Sequence, residues 1–209
     1  MGKLDDCWDD CCYKWDEWKY CLACLGIVAA VVLLAVLLAA FGFPRHVSVA
    51  VDAASLTRFE LATSPATSIA YNLSLTLVIR NPNWAMALKN TKPLEAAYKF
   101  DGQVFDRFEL AGKGEKHPPG KTRVYHLDAG ATRFAALGNA GEDEFRAENK
   151  TGTFEVEVAV SGEVRYTARY TKCKVEATCP LKLQLAPPGT SAVVFQKVKC
   201  KLAKPEKNC

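Results

Sequence analysis

Phe154-Glu-Val-Glu-Val-Ala-Val-Ser-Gly-Glu-Val-Arg-Tyr-Thr-Ala-Arg-Tyr-Thr171 alternates apolar and polar side chains with a period of two, the pattern of strands that lay one face on a core. The first run sets Phe154, Val156, Val158 and Val160 against Glu155, Glu157 and Ser161. The second sets Val164, Tyr166, Ala168 and Tyr170 against Arg165, Thr167, Arg169 and Thr171. Joined across Ser161-Gly162, a pair of turn-forming residues, the two runs read as a long antiparallel hairpin.

Working outward, Leu73, Leu75, Leu77 and Ile79 alternate with Asn72, Ser74, Thr76 and Arg80 in a second half-buried strand. Further strands are expected near 46–61, 94–100, 104–111, 121–128, 179–185 and 192–200. Residues 132–149 lose the alternation and read as a short helix or an irregular connection. Seven to eight strands with one short helix make the chain mainly β, and a β-sandwich over residues 45–200 is the architecture that closes them. Residues 201–209 form a C-terminal tail.

In front of this domain lies Leu22-Ala-Cys-Leu-Gly-Ile-Val-Ala-Ala-Val-Val-Leu-Leu-Ala-Val-Leu-Leu-Ala-Ala-Phe-Gly-Phe43, and no charge occurs from Cys21 to Pro44. A helix of this length rises about 33 Å, enough for a hydrocarbon core of roughly 30 Å. Trp15, Trp18, Tyr20, Phe41 and Phe43 bracket the run as interfacial aromatics do. Residues 21–43 are therefore expected to be a single transmembrane helix, retained as an anchor. The run is too long for the apolar part of a cleaved signal, and the residues before it are acidic.

Charge divides the chain. Residues 1–20 hold three lysines against six acids, whereas the chain from Pro44 onward holds 24 Lys and Arg against 17 Asp and Glu. Those basic residues are interspersed with acids, so a solvated mixed surface is expected and nucleic acid is not.

Asn72-Leu-Ser74 and Asn149-Lys-Thr151 are N-glycosylation sequons, which makes Asn72 and Asn149 candidate sugar acceptors on an extracytosolic domain. Cys173, Cys179, Cys200 and Cys209 fall after the span and suit disulfides in an oxidising compartment. They allow three pairings, with Cys209 free as a further option. A zinc site competes, but the four include no Cys-x-x-Cys pair and no neighbouring histidine, so no metal is expected. Cys7, Cys11, Cys12, Cys21 and Cys24 lie in the Cys-rich tail 1–20 or just inside the span. They read equally as palmitate acceptors on the cytosolic side or as plain apolar residues beside a membrane.

Arg80-Asn81-Pro82-Asn83 ends the strand at 73–79. Pro82 removes a ladder donor and pushes Asn81 toward extended geometry, while the two asparagines can bond to nearby backbone, so the motif reads as a strand terminator. No nucleophile–base–acid set, phosphate loop or histidine–carboxylate cluster is present, and no catalytic residue or cofactor is expected.

The cysteine-bearing tail, the single span and Tyr71-Asn-Leu-Ser-Leu-Thr-Leu-Val-Ile-Arg-Asn-Pro-Asn83 together resemble the plant harpin-induced-like family, whose members carry a late-embryogenesis-abundant group 2 domain. The likeness continues through 94–100, 116–122, 152–158 and 164–166. It departs at Trp84-Ala-Met-Ala-Leu88, where an aromatic pair is usual. The resemblance implies a fibronectin type III-like β-sandwich and a plasma-membrane glycoprotein of plant defence, including the hypersensitive response. It also implies a non-enzymatic protein with a cytosolic N-terminus and an extracellular domain that binds unidentified protein partners. Alternatives are an abiotic-stress-protective or lipid-binding domain, or a tether to wall or membrane. Ala29, Ala30, Ala35, Ala39 and Ala40 offer small residues for a homo-oligomer within the bilayer.

Overall fold

A computed structural model describes residues 18–42, 45–64, 66–167, 169–186 and 195–204. The chain divides into two compact units, Met1–Pro44 and Arg45–Cys209.

In the first unit, α1 (Trp18–Leu37) continues into a π-helical turn, Leu38–Gly42. None of the α1 residues is buried among the described residues, and the helix is apolar around its whole circumference. The apolar stretch Trp18–Phe41 has 24 residues, and at 1.5 Å per residue it is long enough to cross a bilayer. The chain thus carries one N-terminal helix of the membrane-anchoring type.

Among the described residues, the second unit holds ten antiparallel strands. These are β1 (Ser48–Ala62), β2 (Ser68–Arg80), β3 (Leu88–Phe100), β4 (Gln103–Ala111), β5 (Lys116–His117), β6 (Thr122–Phe134), β7 (Thr153–Tyr166), β8 (Lys172–Gln184), β9 (Val198–Lys199) and β10 (Lys201–Leu202), with α2 (Gly138–Thr151) between β6 and β7. One sheet runs β6-β2-β1-β9 and the other β10-β8-β7-β3-β4, with β5 on β3. Seven strands are long and three have only two residues, in keeping with the expected sandwich of seven to eight strands. Inward residues of both sheets form one core: Val49, Leu73, Leu75, Leu77, Tyr98, Phe154, Val156, Val158 and Leu181 are all essentially inaccessible. The aromatic rings of Phe59 and Phe154 meet at 4.8 Å and those of Phe59 and Phe145 at 5.5 Å, so α2 closes one end of the sandwich with its Phe145 side chain.

The hairpin expected across Ser161-Gly162 does not exist. β7 is one continuous strand from Thr153 to Tyr166, paired with β3 on one side and β8 on the other. Phase gives the reason. A two-residue turn would pair Val160 with Glu163, and paired residues share a face, so inward positions would become odd after the turn. Val164 and Tyr166 are buried along with Val156, Val158 and Val160, so the even phase never breaks. Gly162 serves close approach instead: a Cβ built there would lie 2.8 Å from Leu94 Cδ1 and 3.3 Å from the Leu94 Cα. Opposite it, β3 shifts register between Asn90 and Glu95.

Three strand boundaries also move. β3 begins at Leu88, β8 at Lys172, and β6 runs on to Phe134, each longer than expected because its pairing partner continues. The irregular stretch resolves into α2, which starts at Gly138 and ends at the left-handed Gly152. Of the strand expected over 192–200, the described part contributes only β9. Its continuation β10 pairs with the other sheet, so the C-terminal segment crosses between sheets at Cys200. Cys200 is disulfide-bonded there to Cys179 of β8, and Cys173 is disulfide-bonded as well.

Candidate functional site: the asparagine box

Because Pro82 cannot donate to the ladder, β2 stops at Arg80 and side chains take over the hydrogen bonding. Asn81 and Asn83 are buried, at 1% and 3% exposure. The Asn81 amide nitrogen donates to the carbonyls of Met86 (2.9 Å), His117 (3.3 Å) and Pro118 (3.2 Å). Its Oδ1 accepts from the backbone N–H (3.1 Å) and the side-chain Nδ2 (3.0 Å) of Asn83. Asn83 then grips one residue from both sides: Nδ2 donates to the Arg45 carbonyl at 2.7 Å, and Oδ1 accepts from the Arg45 N–H at 2.6 Å. The Tyr166 hydroxyl donates to the same Arg45 carbonyl at 3.1 Å, and Gly120 N–H donates to the Asn83 carbonyl at 2.8 Å. The motif does end a strand, as the sequence suggests. It also bolts together the residue that enters β1, the β2–β3 loop, the β5–β6 loop and the end of β7.

Just inside this box, His117 and Asn90 line a cavity of about 10 Å³ with Val47, Leu88 and Val175. Asn90 Nδ2 donates to the Gly112 carbonyl at 3.2 Å, while Asn90 Oδ1 and His117 Nε2 have no protein partner. That volume admits one water molecule and nothing larger. Burial, reinforced by the charge of Arg123 and opposed by Glu115, holds the His117 imidazole below its ordinary pKa.

A second polar cluster, not anticipated from the sequence, joins the two sheets. The Tyr71 hydroxyl of β2 donates to Asp106 of β4, which also accepts from Arg133 Nε of β6 at 3.0 Å and from the Arg107 N–H at 2.8 Å. Burial pushes the Asp106 carboxyl up, but these hydrogen bonds and the Arg133 charge outweigh it and leave the pKa below the usual range. Burial, with the same carboxylate, pushes the Tyr71 hydroxyl far up, so it stays a donor. An aspartate followed by arginine in an alternating strand carries no local signal of a partner on two other strands.

The remaining sequence-predicted positions are scattered. Asn72 is exposed on the outer face of β2, and Asn149 is exposed near the end of α2, whose Thr151 hydroxyl donates back to the Glu148 carbonyl at 2.8 Å. Cys21 and Cys24 stand early in α1. Cys7, Cys11, Cys12 and Cys209 lie outside the described residues. Among the described residues, no three His, Cys, Asp or Glu side chains converge as metal ligands would.

No family model matches the chain. NDR1/HIN1-like protein 10 of Arabidopsis thaliana is 29% identical over 187 residues, covering 83% of this chain and 79% of that relative. This similarity bears out the resemblance to the plant harpin-induced-like family. A crystal structure of a protein from Archaeoglobus fulgidus aligns with 65% of this chain and 99% of its own, at 9% identity and a TM-score of 0.31, an overlap too small to bear on the fold.

Proposed function

We propose that this chain is a membrane-anchored, non-enzymatic protein of plant defence that acts through the surface of its β-sandwich. The observation that carries the reading is the likeness to an NDR1/HIN1-like protein over 83% of this chain and 79% of that relative. On this reading the sandwich is a late-embryogenesis-abundant group 2 domain on the outer face of the plasma membrane, and residues 1–20 are cytosolic. The exposure of both sequon asparagines suits that topology, because an acceptor must be reachable by the glycosylation machinery. The cavity beside His117 has room for one water molecule and none for a lipid chain.

The test is to express the full chain in leaf cells with Asn72→Gln and Asn149→Gln variants and to treat the membrane fraction with endoglycosidase. A mobility shift lost in the variants, together with altered cell death after pathogen challenge, is expected. Protease protection placing the sandwich in the cytosol would overturn the topology and the extracellular role with it.

A further inference from the structure

Register places the start of β1, the end of β2, the starts of β3, β6 and β8 and the end of β7 at one end of the sandwich, since Ser48 pairs with Arg80, Arg80 with Thr122, Leu88 with Tyr166 and Arg165 with Lys172. This is the end that the asparagine box bolts together. Its segments, 45–48, 80–89, 116–123 and 165–174, contain ten Lys and Arg and no Asp or Glu. The acids that flank them, Glu115 and Glu163, are engaged by Arg123 at 2.8 Å and by Lys92 and Lys172 at 3.9 Å each. The opposite end has the contrary sign: Asp101, Glu142, Asp143, Glu144, Glu148 and Glu155 cluster on and around α2.

Two large aromatic residues are also left out in solvent at the basic end. Trp84 is 60% exposed and Tyr170 is 96% exposed, whereas Met86 between Trp84 and β3 is fully buried. An exposed tryptophan in a loop whose neighbours are packed calls for a partner with both apolar and polar character.

Chain length names the partner. Only Phe43 and Pro44 separate Gly42, the last residue of the π-helical turn, from Arg45. Three virtual bonds of about 3.8 Å keep the two Cα atoms within about 11 Å, whatever the orientation of either unit. Asn83 holds Arg45 by N–H and carbonyl, and Trp84 is the next residue. A bilayer entered by α1 therefore has its headgroup layer within reach of Arg45, Trp84 and the basic loops beside them. The α2 end is a strand's length away, about 40 Å for 13 residues.

We propose that the end of the sandwich bearing Arg45, Trp84, Lys121 and Tyr170 lies on the anionic headgroups of the bilayer that the chain's own apolar helix enters, with the two aromatic rings at the interface. Tryptophan and tyrosine favour that depth, and lysine and arginine near the surface are drawn to acidic lipid. The docked end fixes the sandwich upright with its acidic end outward, and this holds on either face of the membrane. It rests on the membrane-anchored reading but not on the topology.

The full chain is reconstituted into nanodiscs of phosphatidylcholine, with or without phosphatidylglycerol, in which the lipids are brominated near the headgroup. One variant keeps Trp84 alone (Trp8→Phe, Trp15→Phe, Trp18→Phe), and a companion keeps Trp18 alone (Trp8→Phe, Trp15→Phe, Trp84→Phe). Trp84 quenching is expected to be about twofold stronger with phosphatidylglycerol and to fall back when Arg45, Arg80 and Lys121 are changed to Glu. If Trp18 is quenched and Trp84 is not, the anchor stands and the docking is wrong. Equal quenching of Trp84 in both lipids overturns the assignment to anionic headgroups. If neither tryptophan is quenched, the anchored reading fails and takes the docking with it.

Discussion

Asn81 and Asn83 bond to each other before either reaches the backbone, so each fixes the other's amide orientation. Removing one therefore strands several buried groups. Asn83→Ala leaves the Arg45 N–H and an Asn81 acceptor position unmet and is expected to cost about 2–3 kcal/mol, read as urea unfolding of the purified chain in detergent. Asn83→Asp is nearly isosteric but should not rescue, because its second oxygen would face the Arg45 carbonyl where a donor now stands. His117 gives a pH signature of the same sense as Asp106 but in a higher window. The unfolded side chain takes a proton near pH 6.5, while the buried one takes it only at lower pH. Between those values the unfolded state binds more protons, so this contribution to stability is complete above the window and is lost as pH falls through it. His117→Gln should flatten the stability profile just below pH 6.5. Asp106 is depressed too, so its contribution persists until the pH falls below the normal aspartate range. Asp106→Asn should cost about 2 kcal/mol at neutral pH and remove that acid limb.

Two glycine-bearing dipeptides show what an element can and cannot reveal of itself. Asp101-Gly102 joins β3 to β4 with Phe100 paired to Gln103, and both central residues have positive φ, 47° and 72°, as a tight primed turn requires. Ser161-Gly162 looks alike in sequence, yet it lies in mid-strand, where the glycine admits Leu94. The unbroken even phase from Phe154 to Tyr166 was the legible difference. What no local pattern carries is the neighbour on β3 that demands a missing side chain. Gly162→Ala is expected to cost about 1–3 kcal/mol, since the added methyl meets backbone of Pro93 and Leu94 as well as a flexible side chain. Circular dichroism and unfolding of Gly162→Ala beside Leu94→Val and the double variant would show coupling, and additive losses would refute the contact. The apolar helix and the β2 strand could be read directly because each pattern is local and long. The asparagine box could be read only in part: Pro82 announces the end of β2, but the carbonyls of Met86, His117, Pro118 and Arg45 are backbone groups from distant segments and leave no mark on composition.

At the scale of the whole molecule, the C-terminal segment links the two sheets at their edges, with β9 on β1 and β10 on β8, and the bond between Cys200 and Cys179 ties that crossing to β8. Two-residue strands hold little by themselves, since each contributes only a few ladder hydrogen bonds against the entropy of ordering the chain. The covalent link closes a loop with a sequence separation of 21 residues, for which chain entropy gives about 3 kcal/mol. Cys179→Ala with Cys200→Ala should lower stability by about that much and free β9 and β10 to exchange amide hydrogens, while β1 and β8 remain protected through their other neighbours. The same bond reports the compartment, because cytosolic thiol buffers reduce such links and extracytosolic conditions keep them. Maleimide trapping during lysis should leave Cys179 and Cys200 unlabelled until a reductant is added. Labelling of both in unreduced extract would put the sandwich on the cytosolic side, although the basic end would still meet the membrane there. The redox state of the Cys179–Cys200 pair would report which face of the bilayer the domain occupies, and Trp84 quenching whether its basic end meets the lipid, so the two measurements divide the topology from the docking.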